Sequence, residues 1–433
     1  MAGDLAFRPG LGGGPPPSGL LAFLAAGAVG RLGARLLPYA LGYALSYLLR
    51  SANAVLADPL ARDLGLSPAA LGGLTASFYL AFALGQLPLG GLLDRYGPRR
   101  VLFPLLLVAG LGSLLFALGR GFTLLLVGRG LMGAGVALAL VGAIRAYQLH
   151  SPQRMGALSG FTVALGGLGG LLATSPLAYA GENLGWRGAF LLLALLAMAL
   201  ALLGLGVAPR DPLAGEDRLG RGPRGGPAGM ASRAFQGKGS LRRGAGSWRG
   251  NGVVAAMGLV AFAYIGGFFA VQSLWAGAYA YEMGLEGSWV GRWLLVLNAA
   301  SIGGGVLAGV LAGLLGTGRS LGMGVALFSL GLVLWALGAP LPLAYALVGL
   351  GGGFNAMVLA QTASLAADSA GRAMALVNVT GVSGIFAIQT SFGLAVERVG
   401  YPVALLGLAL FQGLALVGAM RIHREALGRG SRP

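Results

Sequence analysis

Long apolar stretches alternate with short polar or glycine-containing breaks along almost the whole chain. Most stretches hold about 20 residues, the length that a helix needs to cross the hydrocarbon core of a membrane. The pattern predicts two groups of six membrane spans with one long basic break between them. We number the spans 1 to 12, and they cover residues 37–57, 67–91, 101–118, 122–147, 156–178, 188–207, 252–280, 288–313, 320–339, 341–365, 373–396 and 402–420.

The breaks divide the chain into two bundles, a linker and two tails. We expect six-helix bundles at 37–207 and 251–420, a basic linker at 208–250, and tails at 1–36 and 421–433. The apolar piece Gly19–Gly30 is too short to span a membrane. A signal peptide is the alternative interpretation of that piece, although Arg31 directly after it favours a cytoplasmic flank.

The basic residues predict the orientation of the spans. With both termini inside, 23 of the 30 Lys and Arg residues lie in inner segments, five lie in outer loops, and Arg50 and Arg129 lie within spans. Lys and Arg are enriched in cytoplasmic loops of membrane proteins. We therefore expect a multi-pass protein of the inner (plasma) membrane with both termini in the cytoplasm.

Composition agrees with an all-α integral membrane protein of about 12 helices. The chain is 56% hydrophobic and 10% charged, whereas a soluble domain carries about 25% charged residues. Most of its 81 glycines fall inside the apolar runs, where small residues let membrane helices approach closely. The net charge of +17 is concentrated at span ends, so it indicates membrane topology and no nucleic-acid partner.

Several kinds of chemistry are excluded by the sequence. There is no cysteine, and the only histidines are His150 and His423, so we expect neither thiol chemistry nor a metal cluster. Gly237-Lys238-Gly239 lacks the Ser or Thr that follows the lysine of an ATP-binding loop. We expect no cofactor and no enzymatic activity.

A charged turn, Gly90–Arg100, separates spans 2 and 3 and carries one acid and three arginines. Gly313–Arg319 follows span 8 at the matching place in the second half. In this alignment Gly316 stands where the first half has Asp94. Two duplicated halves that meet at a central site are the plan of many secondary transporters.

The turn and three further motifs resemble the major facilitator superfamily (MFS). Gly90–Arg100 resembles the family's D-R-x-G-x-R signature, and Arg129–Gly133 in span 4 resembles its Arg-x-x-x-Gly signature. Gly166–Gly170 in span 5 matches the antiporter signature only loosely, and Gly185–Phe190 precedes span 6 as it does in facilitators. The resemblance covers about 37–420 and implies the MFS fold, with two pseudo-symmetric six-helix bundles.

A narrower resemblance begins in span 1. Tyr47–Asn53 and Asp63–Ser67 are similar to MFS members that carry organic anions, including the organophosphate and hexuronate groups. In those members an arginine at the place of Arg50 helps to bind the anion. The organophosphate group uses a second arginine in span 7, which is absent from Phe268–Trp275, so a monoanion such as a carboxylate fits better.

Arg50 is the sharpest candidate for chemistry, because a charge inside a membrane span is costly unless it serves a cavity or a partner. Tyr39, Tyr43, Tyr47 and Arg50 lie on one helix face, and a guanidinium suits carboxylate oxygens through paired hydrogen bonds. The alternative interpretation is that Arg50 snorkels outward or binds backbone carbonyls. Polar stripes on other spans add candidates, so the predicted substrate-binding set is Arg50, Tyr43, Tyr47, Tyr79, Gln86, Gln272, Trp275, Asn378 and Gln389. From the family plan we expect Arg50, Gln272 and Trp275 to face each other.

The predicted gating set is Asp94, Arg95, Gly97, Arg99 and Arg129. The resemblance implies that Asp94 latches the cytoplasmic gate, against the start of span 11 near Gly371-Arg372-Ala373. A solvated loop acid is the alternative interpretation. The resemblance gives Arg129 a structural or coupling role, and the alternative is interfacial snorkelling.

We predict a secondary transporter that moves a small organic anion by alternating access. None of the 13 acids falls well inside a span, which disfavours proton-driven cation export. The alternative function is an exporter of a neutral or hydrophobic compound. The expected partners are a small, anionic substrate, a proton or sodium as coupling ion and the lipid bilayer, and we expect a monomer.

Overall fold

The computed structural model describes residues 31–211, 248–366 and 370–428, and in these ranges it contains helices and turns but no strand. Residues 1–30 of the predicted tail at 1–36 and residues 212–247 of the predicted linker at 208–250 lie outside the described residues. The helices run Arg31–Leu64, Pro68–Tyr96, Pro98–Leu118, Phe122–Val136, Ala139–His150, Met155–Leu172, Ser175–Val207, Trp248–Val260, Gly266–Ala270, Ala276–Glu282, Gly287–Leu315, Thr317–Ala336, Leu341–Gly352, Ala356–Leu365 and Ala370–Gly428, with short 3₁₀ turns at Pro152–Arg154 and Gly353–Asn355 and π segments at Ala261–Ile265 and Val271–Trp275.

Ten stretches of the described chain are long and apolar enough to cross a membrane. The last, Ala373–Val417, is bent at Gly400 and carries both span 11 and span 12. The helix Arg31–Leu64 falls outside the ten because Arg50, Asn53 and several tyrosines lower its mean hydropathy. Counting that helix and dividing the last stretch gives the twelve spans that the hydrophobic pattern predicts.

Glycines with positive φ end the spans at equivalent places in both halves. Gly65 and Gly284 (φ 62° and 79°) follow spans 1 and 7, Gly97 and Gly316 (82° and 86°) follow spans 2 and 8, and Gly185 and Gly400 (69° and 76°) follow spans 5 and 11. Left-handed backbone favours glycine because it lacks a Cβ. These turns give the two halves the same sequence of helix ends.

This equivalence corrects one detail of the sequence alignment. The N–H of Gly97 bonds to Leu93 O at 3.0 Å, and the N–H of Gly316 bonds to Ala312 O at 3.1 Å. Gly316 therefore ends span 8 as Gly97 ends span 2, and it does not stand at the place of Asp94. Counting back from the two turns, Gly313 takes that place, so the second half still lacks the acid.

The two halves also pack internally in the same way. In the first half, span 1 packs on span 5, span 2 on span 4, and span 3 on spans 4 and 6. In the second half, span 7 packs on span 11, span 8 on span 10, and span 9 on span 10. The halves meet where span 1 contacts span 7, span 2 contacts span 11, and span 5 contacts span 8.

We call the end of the bundle that carries Gly97 the arginine-rich end, and the end that carries Gly65 the opposite end. Two hydrogen bonds between the described parts of the two halves lie at the opposite end. Tyr281 OH donates to Val55 O at 2.5 Å, and Ala69 N–H donates to Glu397 Oε2 at 3.4 Å. The halves are therefore joined at the opposite end.

Candidate functional site

Arg50 lies on span 1 at the interface between the two halves. Its guanidinium carbon is 4.5 Å from the ring centre of Tyr47, 5.5 Å from that of Phe82 on span 2, and 5.5 Å from that of Phe269 on span 7. Arginine over an aromatic ring is held by the negative face of the ring. Both halves thus contribute aromatic rings that surround the Arg50 guanidinium.

The Arg50 side chain is half-buried, and the described residues give it neither a hydrogen bond nor an ion pair. Its Nε is buried without an acceptor. A buried charge without a partner is costly, and three rings compensate only part of that cost. This geometry departs from the interpretation in which Arg50 binds backbone carbonyls, and it leaves the charge available to an anion.

Arg129 is the second arginine of the spans and is fully buried, with 0% of its surface exposed. It donates to Leu49 O at 2.8 Å and to Arg50 O at 3.1 Å, and its guanidinium lies 4.9 Å from the ring centre of Phe78. Full burial excludes snorkelling. Arg129 therefore ties span 4 to the turn of span 1 from which the Arg50 side chain projects, a contact that the sequence did not reveal.

The tyrosine face of span 1 divides into two parts. Tyr43 and Tyr47 are half-buried and lie edge to face, with ring centres 5.2 Å apart. Gly166 of span 5 faces both rings, and a Cβ there would lie 2.6 Å from Tyr43 Cε1. Tyr39 is instead fully buried against Phe103, so it belongs to the core and not to a pathway.

Two of the predicted amides, Gln272 and Gln389, are buried and paired. Gln272 Nε2 donates to Asn298 Oδ1 at 2.9 Å, and Gln389 Nε2 lies 3.5 Å from Ser273 Oγ. Asn53 Nδ2, which our predicted set omitted, donates to Thr75 Oγ1 at 2.9 Å. Such pairs hold membrane helices together.

Trp275 and Tyr79, each 1% exposed, lie deeper in the packing than the predicted arrangement requires. Trp275 packs on Phe392 and Tyr401, with ring centres 5.2 and 6.3 Å away. Its ring would meet a Cβ on Gly72 at 3.1 Å, so it lies in the contact between spans 2, 7 and 11. The rings around Arg50 come from Tyr47, Phe82 and Phe269, and the expected meeting of Arg50 with Trp275 is not found.

The remaining predicted residues lie towards the arginine-rich end. Gln86 and Asn378 are half-buried, and Arg95 is exposed beside the ring of Tyr96, 5.1 Å from its centre. The side chains of Asp94 and Arg372 lie outside the described part of the structure. The latch between Asp94 and span 11 therefore stays a prediction.

Asp211 caps the helix that begins after the charged turn. Its Oδ2 accepts hydrogen bonds from Arg99 N–H at 2.9 Å and Arg100 N–H at 3.4 Å, and His150 Nε2 lies 3.8 Å from its other oxygen. The Arg99 guanidinium donates to Leu205 O. A carboxylate at a helix N-terminus satisfies free N–H groups and favours the helix dipole. The turn is thereby fastened to spans 4 and 6 of its own half.

We expect Asp211→Ala to lower the free energy of unfolding by about 1 kcal/mol, because a helix N-cap contributes about that much. The measurement is thermal unfolding of the purified protein, followed by intrinsic fluorescence. Glu286→Ala is the matched control, since Glu286 precedes span 8 but its side chain makes no capping hydrogen bond. Equal losses in the two variants would contradict the capping role.

A second cluster joins two loops at the opposite end. Trp186 Nε1 donates to Asp63 Oδ2 at 3.1 Å, Arg187 forms an ion pair with the same oxygen, and Arg187 also donates to Gly119 O at 3.2 Å. The hydrogen bonds from Arg187 and Trp186 hold the pKa of Asp63 below its ordinary value. Two motifs far apart in the sequence thus meet here and brace the first half.

Because the pKa of Asp63 is lowered by folding, its contribution to stability is full above the ordinary aspartate pKa and is lost as the pH falls through the lowered value. We expect Asp63→Asn to reduce the unfolding temperature slightly at pH 7, since the pair is exposed and screened. Scans between pH 7 and pH 3 should show the difference from the unmodified protein shrinking at the acid end. Asp58→Asn, which removes another exposed ion pair, controls for the change in charge; a pH-independent difference would refute the linkage.

Two equivalent helical halves that meet around Arg50 define a membrane protein with an architecture known from transporters. The sequence profile of the Major Facilitator Superfamily matches residues 39–389, and the chain belongs to this family. The family and the relatives below are transporters and not enzymes.

Two curated relatives share part of the sequence. A probable sulfoacetate transporter, SauU, of Cupriavidus necator is 26% identical over 162 residues, which cover 37% of this chain and 38% of SauU. A probable L-galactonate transporter of Escherichia coli K12 is 30% identical over 159 residues, 36% of this chain and 35% of that protein. The chain thus spans little more than a third of the length of these relatives.

Among solved structures, a bacterial homolog of the human lysosomal transporter Spinster, in an inward-facing and unoccupied conformation, has a similar fold. Its TM-score is 0.71 with 17% sequence identity, over 93% of this chain and 99% of that one. At this identity the similarity concerns the fold alone. It agrees with the all-α MFS architecture.

Proposed function

We propose that the protein is a secondary transporter that moves a small organic anion across the inner membrane by alternating access of its two halves. The observation that carries this proposal is Arg50, a half-buried guanidinium at the interface of the halves with no counter-charge among the described residues. A carboxylate supplies that charge and accepts two hydrogen bonds from the planar fork. An ion that contacts both halves biases their relative position.

The names of the distant relatives support an anionic substrate. They are described as probable transporters of sulfoacetate and of L-galactonate, compounds that are ionised at neutral pH. Only part of each relative aligns with this chain, so their substrates are not carried over. What is carried over is the chemical class, because it matches the charge of Arg50.

We assign the arginine-rich end to the cytoplasm, on the basis of the Lys and Arg distribution. The divisions at 37–207, 208–250 and 251–420, a monomeric state and a proton or sodium as coupling ion belong to the same proposal. The halves are joined at the opposite end, so the structure corresponds to an inward-facing state in this assignment. The transport cycle then requires those contacts to break.

Asp94 is proposed to latch the cytoplasmic end when that end closes, since a carboxylate favours the start of a helix. Asp94→Asn is expected to slow turnover by about tenfold or less, as expected for an interaction of around 1 kcal/mol, and to change substrate affinity by less than about twofold. Uptake rates and equilibrium binding, measured on the same preparation, separate these effects. An unchanged rate would remove Asp94 from the mechanism.

The alternative, an exporter of a neutral or hydrophobic compound, is favoured by one observation, the aromatic surroundings of Arg50. A neutral substrate, however, would leave the Arg50 guanidinium without a partner. A screen of purified protein against carboxylates, sulfonates and neutral analogues distinguishes the two, because a ligand that binds the native state raises the unfolding temperature. We expect stabilisation by anions and counterflow of the same anions in proteoliposomes. Stabilisation by neutral compounds alone would favour the alternative.

A further inference from the structure

The surfaces around Arg50 that both halves leave partly open are aromatic. Tyr43, Tyr47, Phe82 and Phe269 are half-buried like Arg50 itself. Three of these rings stand within 5.5 Å of the guanidinium carbon. The fourth, Tyr43, contacts Tyr47 edge to face. A ligand that reaches Arg50 therefore meets ring faces and edges on several sides.

The hydrogen-bonding amides near the centre are not open in the same way. Gln272 and Asn298 are 6% and 7% exposed and bond to each other, and Asn298 also donates to Leu294 O. Gln389 is fully buried beside Ser273, and Asn53 is buried against Thr75. The hydroxyls of the half-buried Tyr43 and Tyr47 can meet one or two polar groups of a ligand. A substrate with many hydroxyl groups would have to break the amide pairs or leave most of its own hydroxyls unpaired, and either is costly.

Among the described residues, Arg50 is the single free cation of the site. Arg129 is close by but its guanidinium is committed to the carbonyls of Leu49 and Arg50. A second carboxylate on the ligand would meet no positive partner among the described residues of this region. The local charge matches a monoanion.

We infer that the substrate is a monocarboxylate with a planar, apolar body, such as a benzoate- or phenylacetate-type acid, and not a polyhydroxylated sugar acid. This inference rests on the proposed function and specifies its substrate class. The carboxylate pairs with Arg50 while the body lies against Phe82, Phe269 and Tyr47. Gln86 lies one helical turn beyond Phe82 and offers one amide to a substituent at the far end of the ligand.

The test measures dissociation constants of benzoate, phenylacetate and gluconate for the full chain in nanodiscs at pH 7, where all three are ionised. We expect benzoate or phenylacetate to bind at least about tenfold more tightly than gluconate. The aromatic acids gain ring contacts in this site, whereas gluconate loses free energy because most of its hydroxyls are left unpaired. This comparison uses the unmodified protein, so it does not depend on the folding of any variant. Equal or tighter binding of gluconate would overturn the inference.

Two variants assign the preference to the rings. Phe82→Leu and Phe269→Leu are each expected to weaken aromatic acid binding by about three- to tenfold, the range of an aromatic pair, and to leave gluconate within twofold. Phe262→Leu is the matched control. Phe262 lies on span 7, as Phe269 does, but packs on Phe411, with ring centres 6.3 Å apart. Parallel weakening of all acids in the Phe82 and Phe269 variants would also overturn the inference.

The failure of the proposed function has a different signature. If no carboxylate binds, or if Arg50→Gln binds carboxylates as the unmodified protein does, the anion site itself is refuted and this inference with it. If carboxylates bind through Arg50 but sugar acids bind best, only the substrate class is refuted.

Discussion

Replacing Arg50 by glutamine is expected to weaken carboxylate binding at least about 100-fold, because each hydrogen bond to a charged group contributes about 1.5–3 kcal/mol and two are lost. The same variant is expected to fold and to unfold at an equal or higher temperature. In the unmodified protein the Arg50 guanidinium has no hydrogen-bond partner in the described residues, and removing an uncompensated buried charge relieves a cost. Titration calorimetry and thermal unfolding of one preparation measure both effects.

Two further substitutions make this result specific. Arg50→Lys keeps the charge but loses the planar fork, so we expect an intermediate loss of affinity. Arg62→Gln removes an exposed arginine from the same helix, one that pairs with Asp58, and should leave binding unchanged. Retained affinity in Arg50→Gln would refute the anion site, and a large loss of stability would assign Arg50 a structural role instead.

For Arg129 we expect the opposite effect on stability, because its replacement would break two hydrogen bonds to backbone carbonyls. Arg50 and Arg129 are both charges within membrane spans, and the sequence alone treats them alike. In the structure the Arg129 guanidinium donates to two carbonyls and the Arg50 guanidinium makes no hydrogen bond to the described residues, while the Nε of each is buried without an acceptor. The difference arises from which helix each arginine faces, and that depends on the packing of spans 1, 2 and 4. No local pattern contains this information.

The spans themselves are predictable because lipid imposes a simple rule on composition and length. The positions of the turns follow from glycine, since the chain reverses where φ becomes positive, at Gly97 and Gly316 for example. The register of the charged turns was harder to predict. Alignment of the two sequence motifs puts Gly316 opposite Asp94, whereas the backbone shows that Gly316 is the counterpart of Gly97.

The candidate site is predictable only in part. A helix face brings Tyr43, Tyr47 and Arg50 together, because side-chain direction within one helix is fixed by its period. Contacts between helices are not periodic in the sequence, so the contribution of Phe269 and the displacement of Trp275 could not be foreseen. The ion pair between Asp63 and Arg187 had a weak signal, namely opposite charges on loops at the same predicted side of the membrane.

The closed opposite end depends on one very small residue. Gly277 of span 7 faces the backbone of Ala54 in span 1, and a Cβ on Gly277 would overlap the carbonyl oxygen of Ala54. Backbone atoms cannot move aside by changing a rotamer, so the halves would have to separate. Nearby, Tyr281 holds Val55 and Gly291 approaches Ser175, where a Cβ would lie 2.8 Å from Ser175 Cα. The three contacts therefore form one close interface.

Gly277→Ala is consequently expected to disfavour the state in which the opposite end is closed and to reduce transport by more than about tenfold, since overpacking costs about 1–3 kcal/mol. The native chain has no cysteine, so a single Leu285→Cys beside this interface reports its opening through the rate of maleimide labelling. We expect faster labelling when Gly277→Ala is added. Gly303→Ala is the control, because a Cβ there meets nothing within 4 Å while the gain in helix propensity is the same. If the Gly277→Ala variant matches the Gly303→Ala control in labelling and transport, closure at Gly277 is not part of the cycle. If it is labelled faster and transports more slowly, the two halves must meet at this glycine for the cycle to proceed.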